Sequence, residues 1–113
     1  MTYSYEQIGN ICISLDCTSD VQVGQVCQMY TNDCVCKAGA DRIFDGVVAS
    51  KKDSRVGVVV HGFVTVPFTG AAPSVGYRGL LSDGQGGVYS DEEGKNYLIV
   101  SVDTVNKTVT FLL

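Results

Sequence analysis

The chain has 113 residues, of which 45% are hydrophobic and 18% are charged, so we expect one globular domain. Eight basic residues stand against 12 acidic ones, and the net charge of −4 disfavours nucleic acid and anionic membrane as partners. No apolar stretch approaches the roughly 18 residues of a membrane-spanning helix. The N-terminus lacks the basic and apolar regions of a signal peptide, so we expect synthesis and retention in a cytoplasm.

Apolar and polar residues alternate with a period of two along most of the chain, which predicts an all-β fold. Gly, Asn, Asp and Ser lie between the alternating segments, as tight turns require. Such spacing is typical of a small β-barrel or β-sandwich, here one domain over residues 1–113. Residues 1–9 show no pattern that needs burial, and we expect them to form a flexible N-terminal arm. The predicted strands cover residues 10–16, 21–30, 33–37, 43–50, 55–68, 76–81, 87–90, 97–103 and 108–113.

The predicted strand 55–68 (RVGVVVHGFVTVPF) contains the only histidine of the chain, His61. Alternation places His61 on one face together with Val59 and Phe63, and that face is too apolar to be freely solvated. Because both faces of the strand are apolar, we expect burial on both sides, with a second subunit or a larger surface covering one of them. The opposite face is predicted to be core and carries Val56, Val58, Val60, Val64, Val66 and Phe68.

The last two predicted strands form an antiparallel hairpin closed at Asn106-Lys107. Alternation assigns one shared face to three residues of each strand. These residues are Leu98, Val100 and Val102 in the first strand and Val109, Phe111 and Leu113 in the second.

The odd number of cysteines, five in a chain without an export signal, indicates free thiols in a reducing compartment. Cys34 and Cys36 share one strand face, a spacing unlike that of the usual zinc-binding turns, and no second pair accompanies them. Cys12 and Cys27 are expected to act as small apolar packing residues. We therefore expect no metal and no cofactor, and we interpret His61 as a structural residue.

Two loops contain residues that also occur in ligand sites. The glycine-rich segment 82–88 (SDGQGGV) lacks the Lys-Ser/Thr of a phosphate-binding loop and is predicted to be a hairpin connection. Residues 91–93 (DEE) are predicted to be a solvated acidic turn. With no constellation of catalytic residues in the pattern, we expect a protein that is not an enzyme.

The order of valines, glycines and turns from Val21 onward resembles that of phage capsid decoration proteins, also called capsid cement proteins. The resemblance covers about four fifths of the chain. The segments that carry it are VQVGQV at 21–26, DGVV at 45–48, VGVVVHGFVTVP at 56–67, the region 76–83, GGVY at 86–89 and the terminal strand pair 97–113.

This resemblance implies a non-enzymatic structural protein of the virion. It would be made in a bacterial cytoplasm, assemble as a homo-oligomer with a trimer favoured, and bind the major capsid protein on the outer surface of a phage head. There it would stabilise the shell against internal pressure. Aromatic and apolar residues concentrate in interface cores, so the candidate residues for contact between subunits are Phe63, Pro67, Phe68 and Tyr77.

Three alternatives stay open. One is another phage structural component, a head-tail connector or tail subunit. The second is a small thiol-dependent enzyme with a cysteine nucleophile and His61 as base, because spatial pairing cannot be derived from one sequence. The third is a ligand-binding barrel, which would need polar groups converging in a pocket.

Overall fold

A computed structural model describes residues 10–113, and the predicted N-terminal arm at 1–9 lies outside the described residues. Within the described range the chain forms strands and no helix, which confirms the all-β prediction. None of these residues belongs to a helix with the length and apolar character needed to cross a bilayer. The strands are β1 (Ile11–Cys17), β2 (Val26–Thr31), β3 (Cys34–Lys37), β4 (Gly46–Lys52), β5 (Arg55–His61), β6 (Phe63–Pro67), β7 (Gly76–Ser82), β8 (Val88–Ser90), β9 (Lys95–Asp103) and β10 (Thr108–Leu112).

The strands form two five-stranded sheets, one from each half of the described chain. The first closes into a barrel in the order β1-β3-β2-β4-β5, with β5 pairing back onto β1. Within it β1 and β3 are parallel, and the other neighbouring pairs are antiparallel. The second sheet has the order β6-β10-β9-β7-β8. It curves so that its two edges approach each other, and Phe68, just after β6, forms an isolated bridge with Val88 of β8. A small barrel joined to a rolled sheet agrees with the predicted fold class.

Two buried clusters hold these sheets together. The larger one joins the outer face of the barrel to the inner face of the second sheet, and it contains the rings of Phe44, Tyr97 and Phe111, whose centroids lie 5.1 to 6.0 Å apart. Rings at this spacing stabilise a core beyond the area that they bury. The smaller cluster fills the barrel and consists of Leu15, Val21, Cys27, Val35, Val48, Val56 and Val58.

The predicted strand 55–68 is wrong as a single strand, because it divides at Gly62 into β5 of the barrel and β6 of the second sheet. Gly62 has a φ of +130°, and a Cβ at this position would lie 1.9 Å from Oδ1 of Asn10. Only glycine fits such a backbone at such a contact. Val60 is exposed although it was predicted to be core, because it lies at an irregular step of the pairing with β1, between the pairs Val59–Cys12 and His61–Ile11. The other residues of the predicted core face are buried, namely Val56, Val58, Val64, Val66 and Phe68.

Strands β4 and β5 are buried on both faces, as the apolar pattern predicted for the segment containing β5. Val48 and Val58 point into the barrel, whereas Val47 and Val59 belong to the cluster shared with the second sheet. At Val59 this face needs no second subunit or larger surface as a cover, because the second half of the same chain covers it. For the exposed residues of the same predicted face, which include His61 and Pro67, a covering partner stays a prediction.

The C-terminal hairpin forms as predicted, and Val102 packs against the core as assigned, but the assignment of Leu98 and Val100 in β9 is wrong. Thr110 pairs with Ser101 and Phe111 with Ile99, so Val100 is an extra residue in a β-bulge. The bulge shifts the alternation, and Ile99, not Leu98, packs into the core. In β10, Val109 and Phe111 are fully buried on the predicted face.

Two turns show why strand boundaries differ from the predicted ones. The predicted strand 21–30 starts only at Val26, because Gly24 adopts a φ of +84° and turns the chain while its N–H donates to the Val48 carbonyl at 2.8 Å. The predicted closure of the hairpin at 106–107 lies inside a longer loop, 104–107. There Asp103 accepts hydrogen bonds from the backbone N–H and the side-chain amide of Asn106 and from the N–H of Val105, which lowers the pKa of its carboxyl group.

The opposite environments of two neighbouring valines allow a direct test of the two-faced packing of β5. Val59 is 5% exposed between the sheets and Val60 is 36% exposed. We expect Val59→Ala to lower the free energy of unfolding by about 2 kcal/mol and Val60→Ala by less than about 0.5 kcal/mol. Urea denaturation of both variants measures this difference, and equal losses would contradict the assignment of faces.

Candidate interaction surface

His61 and the Cys34–Cys36 pair lie near opposite ends of β1. His61 ends β5 and pairs with Ile11, whereas Cys34 pairs with Asp16. Asp16 follows Ile11 by five residue steps, which corresponds to about 17 Å along a strand. The structure therefore does not bring the histidine to the densest group of thiols.

The five cysteines are free thiols in different environments. Cys27 packs inside the barrel as predicted, but Cys12 is exposed, so its predicted packing role is wrong. Burial raises the pKa of Cys27 to about 12, and the nearby Asp45 carboxylate adds to the shift. Burial, with the charge of Asp20, also raises the pKa of Cys36. Both shifts disfavour the thiolate that a nucleophile or a metal ligand needs. Among residues 10–113, no three His, Cys, Asp or Glu side chains are grouped closely enough to hold a metal ion.

The two loops that were compared with ligand sites are connections between strands, as predicted. Segment 82–88 joins β7 to β8, and Oδ1 of Asp83 accepts the N–H groups of Gln85 and Gly87 at 2.7 and 3.1 Å. The acidic turn 91–93 joins β8 to β9, and Oδ1 of Asp91 accepts the N–H of Glu93. In both loops a carboxylate therefore organises its own turn.

The four residues predicted to contact another subunit occupy three kinds of position. Phe68 is 5% exposed and belongs to the cluster between the sheets, so its side chain is not available to a partner in this structure. Pro67 is exposed on β6, and Phe63 is half-buried on the same strand. Tyr77 is 70% exposed on β7. The prediction of an interface therefore remains for Phe63, Pro67 and Tyr77.

Phe63 and Tyr77 are the two ends of an apolar row that crosses the second sheet. Phe63 pairs with Leu112, Leu112 pairs with Leu98, and Leu98 pairs with Tyr77. We call these four residues the outer row. Because directly paired residues point to the same side of a sheet, the outer row forms one line about 14 Å long across four strands.

The outer row lies on the face of the second sheet that points away from the core. Val64, Phe111 and Ile99, the strand neighbours of its members, are all in the core cluster, and successive side chains of a strand point to opposite faces. Leu98 and Leu112 are half-buried, so they present part of their apolar surface. Sequence reasoning missed both leucines, because cross-strand register is needed to place them beside Phe63 and Tyr77.

The next row on the same face is polar, which limits the apolar area. Thr65 pairs with Thr110, and Thr110 pairs with Ser101. The hydroxyl oxygens of the two threonines are 2.8 Å apart and share a hydrogen bond. A partner bound at the outer row would therefore meet a narrow apolar line bordered by hydroxyl groups.

A second apolar surface surrounds one opening of the barrel. Ile13 pairs with Val58, and Met29 pairs with Val35, and both partners are core residues inside the barrel. Ile13 and Met29 are therefore on the inward face of their strands, yet they are exposed. Four exposed residues lie on inward strand faces beyond the filled interior of the barrel, and we call them the barrel rim. They are Ile11, Ile13, Met29 and Val60.

Comparison with known proteins found no family model and no curated protein that matches this chain.

The raised pKa of Cys27 predicts a loss of stability at alkaline pH. Below pH 9 the thiol is protonated in both the folded and the unfolded chain, so its contribution to stability is complete. Between pH 9 and about 12 the unfolded chain releases the proton that the folded chain retains. The free energy of unfolding should then fall by about 1.4 kcal/mol per pH unit from this group alone.

Cys27→Ala removes this group, and Cys12→Ala is the matched control on an exposed strand position. We expect a shallower decline above pH 9 for Cys27→Ala and the original slope for Cys12→Ala, measured by urea denaturation at a series of pH values. Tyr97 contributes equally to all three proteins, because burial raises its pKa to about 12 as well. Parallel curves for the original chain and Cys27→Ala would contradict the assignment.

Proposed function

We propose that this protein is a non-enzymatic structural component of a phage virion that binds the outer surface of the head and stabilises the capsid shell. The observation that carries the proposal is the outer row, an apolar line across the outward face of one sheet. Its two ends, Phe63 and Tyr77, are residues that the sequence indicated as contact positions. The order of valines, glycines and turns that resembles capsid decoration proteins supports the same assignment.

The architecture suits a protein that resists mechanical displacement. The outer row lies on a sheet whose other face carries Val64, Ile99 and Phe111 in the core between the sheets, so force on the row acts on a closely packed interior. The aromatic ends of the row are the type of residue that contributes most to binding at interface centres. The net charge of −4 keeps the domain from competing for DNA.

The proposed partners are the major capsid protein and other copies of this chain, with a trimer favoured. The trimer rests on the resemblance, because the second apolar face of β5 is covered within the chain at Val59 and gives no reason for a second subunit there. In a trimer each subunit adds one modest contact, and linking three contacts raises the effective concentration of the second and third. The site of action is the virion surface, after synthesis in a bacterial cytoplasm.

Two observations weigh against a thiol-dependent enzyme. The Cys34–Cys36 pair lies far along β1 from His61, and the pKa shifts of Cys27 and Cys36 oppose thiolate formation. A head-tail connector or tail subunit is the alternative within the same class of proteins. A connector would use the same outer row for contacts in a ring, and it would occur in a few copies per particle.

Substitution at the exposed end of the outer row tests the proposal. Tyr77→Asp places a charge in the row without disturbing the core, and Tyr30→Asp, at a 64% exposed tyrosine of β2, is the matched control. We expect Tyr77→Asp to weaken binding to phage heads that lack this protein by about 30-fold or more, which corresponds to about 2 kcal/mol. Tyr30→Asp should bind as the original chain does. Cosedimentation with the heads measures both.

Failure of the original chain to bind any such head would contradict the proposed function. If Tyr30→Asp abolished binding to the heads and Tyr77→Asp did not, the protein would still bind heads, but the outer row would not be the surface that binds them.

A further inference from the structure

Cys34 and Cys36 form a pair of free thiols on the outward face of β3. Val35 between them is 1% exposed and packs inside the barrel, and successive side chains of a strand point to opposite faces. Both cysteines are half-buried, so part of each side chain can be reached from solvent. The pair belongs neither to the two buried clusters nor to the outer row.

The carboxylates nearest to this pair are engaged elsewhere. Cys34 pairs with Asp16 of β1, whose carboxylate is bound by the guanidinium of Arg55 at 3.0 Å. Near Cys36, the carboxylate of Asp20 accepts two hydrogen bonds from within the chain. Among residues 10–113, no group of three metal-ligating side chains forms, so the two thiols are a pair of ligands without a third.

A side-chain amide supports the charged form of one thiol. Gln28 pairs with Cys36 across β2 and β3, and its side chain forms a hydrogen bond with the thiol. Oε1 of Gln28 accepts the N–H of Gly39 at 3.2 Å, which leaves the NH₂ group to donate to the sulfur. Burial and the Asp20 charge act in the opposite direction and raise the pKa of Cys36, so the thiol keeps its proton until a metal ion displaces it.

The spacing of the two thiols decides which bond they can form. Side chains two residues apart on one strand face are about 6.7 Å apart at Cβ. A disulfide needs a Cβ separation of about 3.5 to 4.5 Å, so it would distort the strand. Two metal–thiolate bonds of about 2.3 Å in a line hold their sulfur atoms about 4.6 Å apart. Rotation of both side chains about χ1 can bring the two sulfur atoms to that separation.

We propose that Cys34 and Cys36 bind one Cu(I) ion as a two-coordinate pair of thiolates. Soft thiolate ligands favour Cu(I), which accepts two ligands in a line, whereas zinc in structural protein sites takes four. As each S–Cu bond forms, the thiol releases its proton to solvent, and no electron is transferred. The copper ion keeps its charge of +1 throughout.

This site goes beyond the proposed function, and it stands or falls independently of binding to a phage head. It would replace the expectation that the chain binds no metal. The argument against a zinc site is unchanged, because that argument rests on the lack of further ligands.

Competition for Cu(I) against the coloured chelator bicinchoninate, without oxygen, tests the site in the full chain. We expect one tightly bound Cu(I) per chain, and an affinity at least about 100-fold lower in Cys34→Ser and in Cys36→Ser, because each leaves a single thiolate. Cys12→Ser, at an exposed cysteine of β1, is the matched control and should bind as the original chain does. X-ray absorption of the copper-loaded original chain should show two sulfur neighbours, a result that does not depend on how the variants fold.

The proposal would be overturned by a copper centre with three or more ligand atoms, or by a double variant Cys34→Ser/Cys36→Ser that binds Cu(I) as tightly as the original chain. A loss of affinity in Cys12→Ser equal to that in Cys34→Ser would also overturn it, since the copper would then be shared with a cysteine outside the pair.

Discussion

Strands β4 and β5 form a wall that both cores share, and the rest of the structure depends on it. Val48 and Val58 close the interior of the barrel, and on the other face Val47 and Val59 meet the second sheet. Neither sheet can bury its apolar face without this wall, so the two halves of the chain need each other to be stable.

Much of the fold follows from the sequence, because residue alternation survives wherever a strand is regular. The inward valines of β5 and the buried face of β10 are examples. The failures occur at two single residues, Gly62 and Val100. The extra residue at Val100 changes which residues of β9 face the core, whereas the break at Gly62 moves the chain from one sheet to the other and leaves Val64, Val66 and Phe68 on the predicted core face. Both features are set by contacts with distant segments. Gly62 is forced by Asn10, and the bulge at Val100 by pairing with β10.

The candidate surface was predictable only at its ends. Aromatic character marks Phe63 and Tyr77 in the sequence, but Leu98 and Leu112 join them only through cross-strand register. Phe68 is also aromatic and was predicted to contact another subunit, but it lies in the core between the sheets. Composition identifies residue types suited to an interface, whereas the topology decides which of them face outward together.

The abundance of this chain in purified phage particles tests the central claim most directly. Particles released by induction of the source strain would be purified, and the chain would be quantified by mass spectrometry against the major capsid protein. We expect a copy number comparable to that of the shell protein, as a protein covering the head surface requires. Absence of the chain from particles that contain the other head proteins would contradict it.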